Sequence, residues 1–200
     1  MRGWVTAGLA MAVAMATPAA LAQSLNKSEG EEFLKAVNQD DGNTAVPLIE
    51  KSAGRIVNYR GYSGDTALHI ATKKRQLDWV GFLLSKAADP NIGDEQGNTP
   101  LHLASQIGFT EAAEYLLRKG AKVDATNRTG ETPLIIAVTQ RQTRMVEMLL
   151  RAGANPDKSD HAAGYSARDY AKRDERNRDL IKLIETVKPT ATKVSGPSLN

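Results

Sequence analysis

No cysteine occurs anywhere in the 200-residue chain. That absence removes disulfides, thiolate nucleophiles and cysteine-based metal sites together, so packing alone must stabilise whatever fold the sequence adopts. The usual signatures of catalysis are missing too. Gly61-Tyr62-Ser63-Gly64 is not a nucleophile elbow, and there is no phosphate-binding glycine loop, zinc-protease motif or paired-acid constellation. No catalytic residue, metal site or cofactor is therefore assigned. A strong charge of either sign is also lacking: 26 basic and 23 acidic side chains nearly balance, which makes no general case for nucleic acid or anionic lipid as partner. With 41% hydrophobic and 24% charged residues, the composition is that of an ordinary one-domain globular protein.

The first 22 residues differ from the rest. Arg2 is their only charge, Trp4 to Met15 is an apolar run, and Pro18 precedes Ala20-Leu21-Ala22 and Gln23. This is the order of a secretory signal peptide, ending in a small-x-small cleavage motif. An uncleaved anchor is the competing reading, since about 18 uncharged residues nearly span a bilayer. The alanine-rich run is weakly hydrophobic and the motif is well placed, which favours cleavage. No cysteine follows the signal to carry a lipid. The mature chain is thus expected to be free of the membrane.

What the sequence does contain is a period. Thr66, Thr99 and Thr132 are 33 residues apart, and Ser166 follows 34 later. Each lies two residues after a glycine (Gly64, Gly97, Gly130, Gly164) and five before an alanine (Ala71, Ala104, Ala137, Ala171). The leucine doublets Leu83-Leu84, Leu116-Leu117 and Leu149-Leu150 keep the same interval, as do Asn91, Asp124 and Asp157. Such periods mark solenoids, in which one unit cannot bury its apolar face alone and stacks on copies of itself.

The copy from Gly97 to Asp124 shows what the unit is. Gly97 supplies a turn, Thr99 can cap a helix, and Pro100 at its first position loses only a donor that is unpaired anyway. Leu101, Ala104 and Ile107 share a face until Gly108 ends the helix. A second helix is predicted from about Thr110 to Lys119, with Ala112, Ala113, Leu116 and Leu117 as its apolar stripe and Gly120 as its stop.

GNTPLHLA with LLRKGAKVD, GETPLIIA with LLRAGANPD, and GDTALHIA with LLSKAADPN resemble the ankyrin repeat, a β-turn finger followed by two antiparallel helices. The resemblance covers roughly residues 30 to 187. It implies an all-α solenoid of helix-turn-helix units, with about three full repeats between N- and C-terminal capping repeats. It also implies that His69 and His102 bond to their own threonines and to the adjacent loop. Thr66, Thr99, Thr132 and these histidines are then structural. First helices about 8–10 Å apart would keep the two histidines from sharing a metal at about 2 Å. Ile135 holds the same phase in the third copy, and His161 falls in a loop expected to face solvent.

The domain is taken as residues 23–187. Residues 23 to 64 read as a short leader and a degenerate first copy, with helices over Glu31–Gln39 and Asn43–Lys51. Two extra residues lie between Ile49 and Asn58. At the far end Arg168 stands where other copies have leucine, and a last helix is expected over about Asn177–Thr186, burying Leu180, Ile181 and Leu183 or Ile184. Residues 188–200 are predicted to be a disordered tail. The basic run from Arg168 to Lys182 is interleaved with acids, and Asp169–Arg173 and Asp174–Arg178 have the spacing of helix-surface ion pairs.

Phases that change from copy to copy are free of packing constraint. These are Tyr62, Glu95 and Arg128; Asp65, Asn98 and Glu131; Lys73, Gln106 and Thr139; and Lys74, Ile107 and Gln140, with Gln96 and Thr129 beside them. In the family they line one concave surface, which makes them the candidate protein-binding residues. Tyr62 and Ile107 are the expected anchors, being apolar or aromatic at positions expected to face water. The reading is a monomeric, non-catalytic module exported to a bacterial periplasm, docking on a folded protein. The alternatives are a secreted effector that binds a host protein, or a hydrolase with an unrecognised site.

If the inside and outside of the helices are assigned correctly, Leu116→Ala costs about 2–5 kcal/mol, whereas Gln106→Ala stays within about 0.5 kcal/mol. A denaturant titration that gave equal effects would contradict the assignment.

Overall fold

A computed structural model of the chain describes residues 18–174 and 178–187. The expected disordered tail and residues 1–17 of the expected signal segment lie outside these. The described residues form five helix pairs: α1 (Pro18–Asn38) with α2 (Gly42–Lys51), α3 (Ala67–Lys73) with α4 (Leu77–Ser85), α5 (Pro100–Ile107) with α6 (Thr110–Arg118), α7 (Pro133–Thr139) with α8 (Thr143–Arg151), and α9 (Ala167–Arg173) with α10 (Arg178–Thr186). First helices pack in the order α1, α3, α5, α7, α9, and second helices in the order α4, α6, α8, α10. This is the expected all-α solenoid, with three full copies between two caps.

The periodic residues fill the layer between hairpins. Leu83, Leu116 and Leu149 are fully buried, Leu84 and Leu150 nearly so, and Leu117 is half-buried. Ala71, Ala104, Ala137 and Ala171 are buried where successive first helices meet, and a larger side chain there would force them apart. Leu180 and Ile184 are buried in the last helix, while Ile181 and Leu183 are half-buried.

A second set of contacts ties copies together through the backbone. Asn58, Asn91 and Asp124 each accept, through a side-chain oxygen, a main-chain N–H of the following copy: Asp89 at 2.8 Å, Lys122 at 2.8 Å and Asn155 at 2.9 Å. Asp157 holds the next phase and takes the Arg168 guanidinium instead, with Nε at 2.6 Å and Nη2 at 3.3 Å. The residue that breaks the leucine pattern in α9 thus ties the last copy to the one before it.

The N-terminal copy departs from the sequence prediction. Its first helix begins at Pro18 rather than Glu31, so residues 23–30, read as a leader, are helical, as are the last five residues of the expected signal. The extension is held from Lys27 onward. The Tyr59 ring fills the space where a side chain on Gly30 would stand, Tyr59 Oη donates to Glu31 Oε1 at 3.0 Å, and Lys51 pairs with Glu29 at 2.6 Å. The second helix starts at Gly42, because Asp41 caps it by accepting the Thr44 N–H at 3.1 Å. One of the two extra residues lengthens the stretch containing α2, which has 10 residues against 9 in α4. The other is absorbed by a 3-10 turn over Arg55–Asn58 that buries Ile56 and Val57.

Every second helix of the first four copies ends on a left-handed residue, namely Ala53, Ala87, Gly120 and Gly153. Ala87 has φ 63° and Gly120 has φ 89°, and nothing crowds a Cβ at Gly120. Relief of left-handed strain outweighs glycine's extra chain entropy, so Ala87→Gly is expected to stabilise by up to about 1 kcal/mol and Gly120→Ala to destabilise by about 1 kcal/mol. Chemical denaturation of both variants checks the opposite signs.

Candidate protein-binding face

Between the hairpins the chain forms fingers, and their bases are built by residues that the sequence analysis passed over. Asp94 Oδ1 accepts the N–H groups of Gln96 and Asn98 at 2.9 and 2.8 Å. Asn127 Oδ1 takes those of Thr129 and Glu131, and Asp160 Oδ1 those of Ala163 and Gly164. These three residues are 33 apart, and that phase was the signal available for finding them. Burial pushes the Asp160 carboxyl up, but hydrogen bonds from Tyr170 and the finger N–H groups hold it below its ordinary value. The same bond, at 2.6 Å, pushes the Tyr170 hydroxyl up to about 12.

Neighbouring fingers are stitched main chain to main chain. Glu95 N–H donates to the Ser63 carbonyl at 3.3 Å, Arg128 N–H to Gln96 at 2.9 Å, and His161 N–H to Thr129 at 2.8 Å. So close an approach requires glycine alongside: a Cβ on Gly64 would lie 2.7 Å from Glu95 N, and one on Gly130 would lie 2.6 Å from His161. His161, exposed as expected, thereby marks a fourth finger that carries one extra residue.

The two buried histidines fix the fingers to the helices in the way the resemblance implied. Nε2 of His69 lies 2.9 Å from the Asn98 carbonyl, and Nε2 of His102 lies 3.1 Å from that of Glu131. A carbonyl can only accept, so Nε2 carries the proton and Nδ1 is left as acceptor for the Thr66 and Thr99 N–H groups, each at 3.1 Å. The threonine hydroxyls also reach Nδ1, at 2.8 and 2.9 Å. Both ring nitrogens are occupied and offer no lone pair to a metal. Where Ile135 replaces histidine, Thr132 Oγ1 accepts the Ile135 N–H directly at 3.2 Å.

On this frame most of the variable phases converge. Glu95, Gln96, Asn98, Gln106, Arg128, Thr129, Glu131 and Gln140 line one groove of about 390 Å³ between the second and third fingers and helices α5 and α7, together with Asn127, Ile136 and Thr139. Glu131 is already engaged by Asn127 and Thr129, at 2.9 and 2.8 Å. Glu95, Gln96, Arg128, Gln106 and Gln140 are exposed. Tyr62 and Asp65 lie in a separate hollow against α1 and α3. Tyr62 is 73% exposed with the Lys27 ammonium 4.7 Å from its ring centre. Lys73 pairs with Asp65 at 2.8 Å, and Lys74 donates to the Asn38 carbonyl.

Two expectations need correction. Ile107 does not stand free in water; it is half-buried and packs on the core, as its place on the α5 face of Leu101 and Ala104 requires. Asp169 is not an ion-pair partner of Arg173: its carboxylate caps α9 from within, accepting the Ser166 N–H at 3.0 Å and Oγ–H at 2.6 Å, while Arg173 lies over the Tyr165 ring. Asp174 receives Arg141 at 2.7 Å, across copies.

Comparison with protein families agrees with this geometry. A profile described as ankyrin repeats (3 copies) matches residues 87–160, and one described as ankyrin repeats (many copies) matches residues 48–104. The chain belongs to the ankyrin-repeat family. A comparison with curated proteins returns no match. Ankyrin repeats are generally protein–protein interaction modules. In this ankyrin-repeat chain the helix pairs α1–α2 and α9–α10 extend the array at or beyond the limits of the matched segments.

Burial lowers the pKa of both finger-binding histidines below the ordinary value. The unfolded chain therefore binds protons first as pH falls. Stability is fully present above about pH 6.5 and is lost as pH drops from there through the folded pKa, by up to about 1.4 kcal/mol per pH unit per histidine. Urea titrations between about pH 6.5 and 5 are expected to show this slope, and His69→Gln with His102→Gln to flatten it; the lowered carboxylates act only below that window.

Proposed function

We propose that this protein is a non-catalytic binding module that docks on a folded protein through the groove between its fingers and first helices. The observation that carries the reading is convergence. Most of the residues selected because they vary between copies gather in one groove, with Tyr62 and Asp65 in a separate hollow, while the invariant ones lie in the packing. The exposed set mixes one acid, one base and several amides, which suits a polar protein surface. Three amide side chains can each donate and accept, and Glu95 and Arg128 can each take an opposite charge.

The module is exported to a bacterial periplasm. Support comes from the charge, apolar run and small-x-small motif of residues 1–22 and from a fold that needs no disulfide. Among the described residues, no helix is long and apolar enough to cross a membrane.

Affinity capture from osmotic-shock extract tests both parts. The wild type is expected to retain a protein partner that a Glu95, Gln106 and Arg128 triple alanine variant loses, with Ile107 left intact because it packs on the core. Undiminished capture by the variant counts against the groove. Recovery of the protein from the medium instead of the shock extract favours a secreted effector.

A further inference from the structure

The second helices carry a feature that the concave groove does not use. From α4 onward they pack in succession, but α2 stands off from α4 and leaves a cleft of about 200 Å³ on the outer side of the solenoid. Its walls are Val46, Trp79 and Phe82, with the carboxylates Asp40 and Asp78 among the residues lining it. Trp79 and Phe82 meet edge to face, with ring centres 5.6 Å apart. Asp40 holds the indole by accepting its N–H at 2.5 Å.

The internal repeat shows what is different here. Asp40 is the left-handed residue that ends the first helix of its copy, and Arg75 and Arg141 hold that position in later copies. Both arginines reach forward into the next copy. Arg75 donates to the Ile107 carbonyl at 3.0 Å and lies 4.6 Å from the Phe109 ring centre, and Arg141 pairs with Asp174. At the first junction Gln76 holds the phase of Phe109, the rings of Trp79 and Phe82 stand three and six residues further on, and the side chain sent forward is an acid.

We propose that this cleft binds a small organic ammonium ion, whose charge replaces the missing guanidinium and whose alkyl groups rest on Trp79, Phe82 and Val46. An ammonium near an aromatic face is attracted by the ring quadrupole, and two carboxylates lining the same cleft add to that attraction. The other charges nearby are committed. Asp41 caps α2 through Thr44, Lys74 is turned to the Asn38 carbonyl, and Lys86 lies over Phe82 at 5.6 Å from the ring centre. The bland reading of Asp78 is a carboxylate placed at the start of α4, and the test separates that role from ligand binding.

The Trp79 indole N–H, assigned in the ¹⁵N-labelled full chain by Trp79→Phe, reports on the cleft. Tetramethylammonium chloride is expected to shift it saturably in the millimolar range, whereas sodium chloride at equal ionic strength and neutral tert-butanol do not. Asp78→Asn, an exposed substitution that leaves the fold intact, is expected to weaken the apparent affinity by about two- to fivefold. Absence of a saturable shift, equal saturation by tert-butanol, or an unchanged affinity in Asp78→Asn would overturn the proposal.

Discussion

Contact between adjacent hairpins is the constraint on which everything else in this molecule depends. A pair of helices of 7 to 9 residues, such as α3–α4 or α5–α6, has no interior of its own and becomes stable only when its neighbours cover it. The leucine doublets supply the apolar area, and the alanines in the first helices let the backbones approach. Apolar contact alone would tolerate sliding. Register comes instead from hydrogen bonds that recur at the same phase: the finger-to-finger amides, the histidine-to-carbonyl bonds, and the Asn58, Asn91 and Asp124 side chains bonded to the following copy. Shape and polar pairing therefore specify one and the same stacking.

The groove is a by-product of that stacking. Because each finger is bonded to the next through its main chain, its side chains are free to differ, and Tyr62, Glu95 and Arg128 do. The frame is rigid where the backbone is paired and variable where only side chains project. That is the arrangement expected of a surface that recognises a partner without rearranging.

Much of this was legible in the residues. Gly97, Thr99, Pro100 and Gly108 bound α5 where turn, cap and stop chemistry put them, and the doublets faced inward because their spacing allowed no other side. What escaped was long-range. Nothing near Glu31 in the sequence announces that Tyr59, 28 residues later, will cover Gly30 and extend α1. Ile107 varies between copies and was grouped with the exposed phases, yet it packs on the core with the helix face that it shares with Leu101 and Ala104. Asp169 had two partners at suitable spacing, and the cap won because Ser166 offers both N–H and Oγ–H at short range. The finger bases at Asp94, Asn127 and Asp160 kept the period as faithfully as the leucines, but in polar residues where a search for apolar pattern does not look.

The pairing of Arg168 with Asp157 has a consequence for the last junction. At each preceding junction the equivalent oxygen receives a main-chain N–H of the following copy, and here it receives the Arg168 guanidinium from the start of α9. Arg141 and Asp174 join the same two copies, again by opposite charges. Attraction between two full charges near the surface is screened by salt, so the terminal hairpin is the one whose attachment feels ionic strength most.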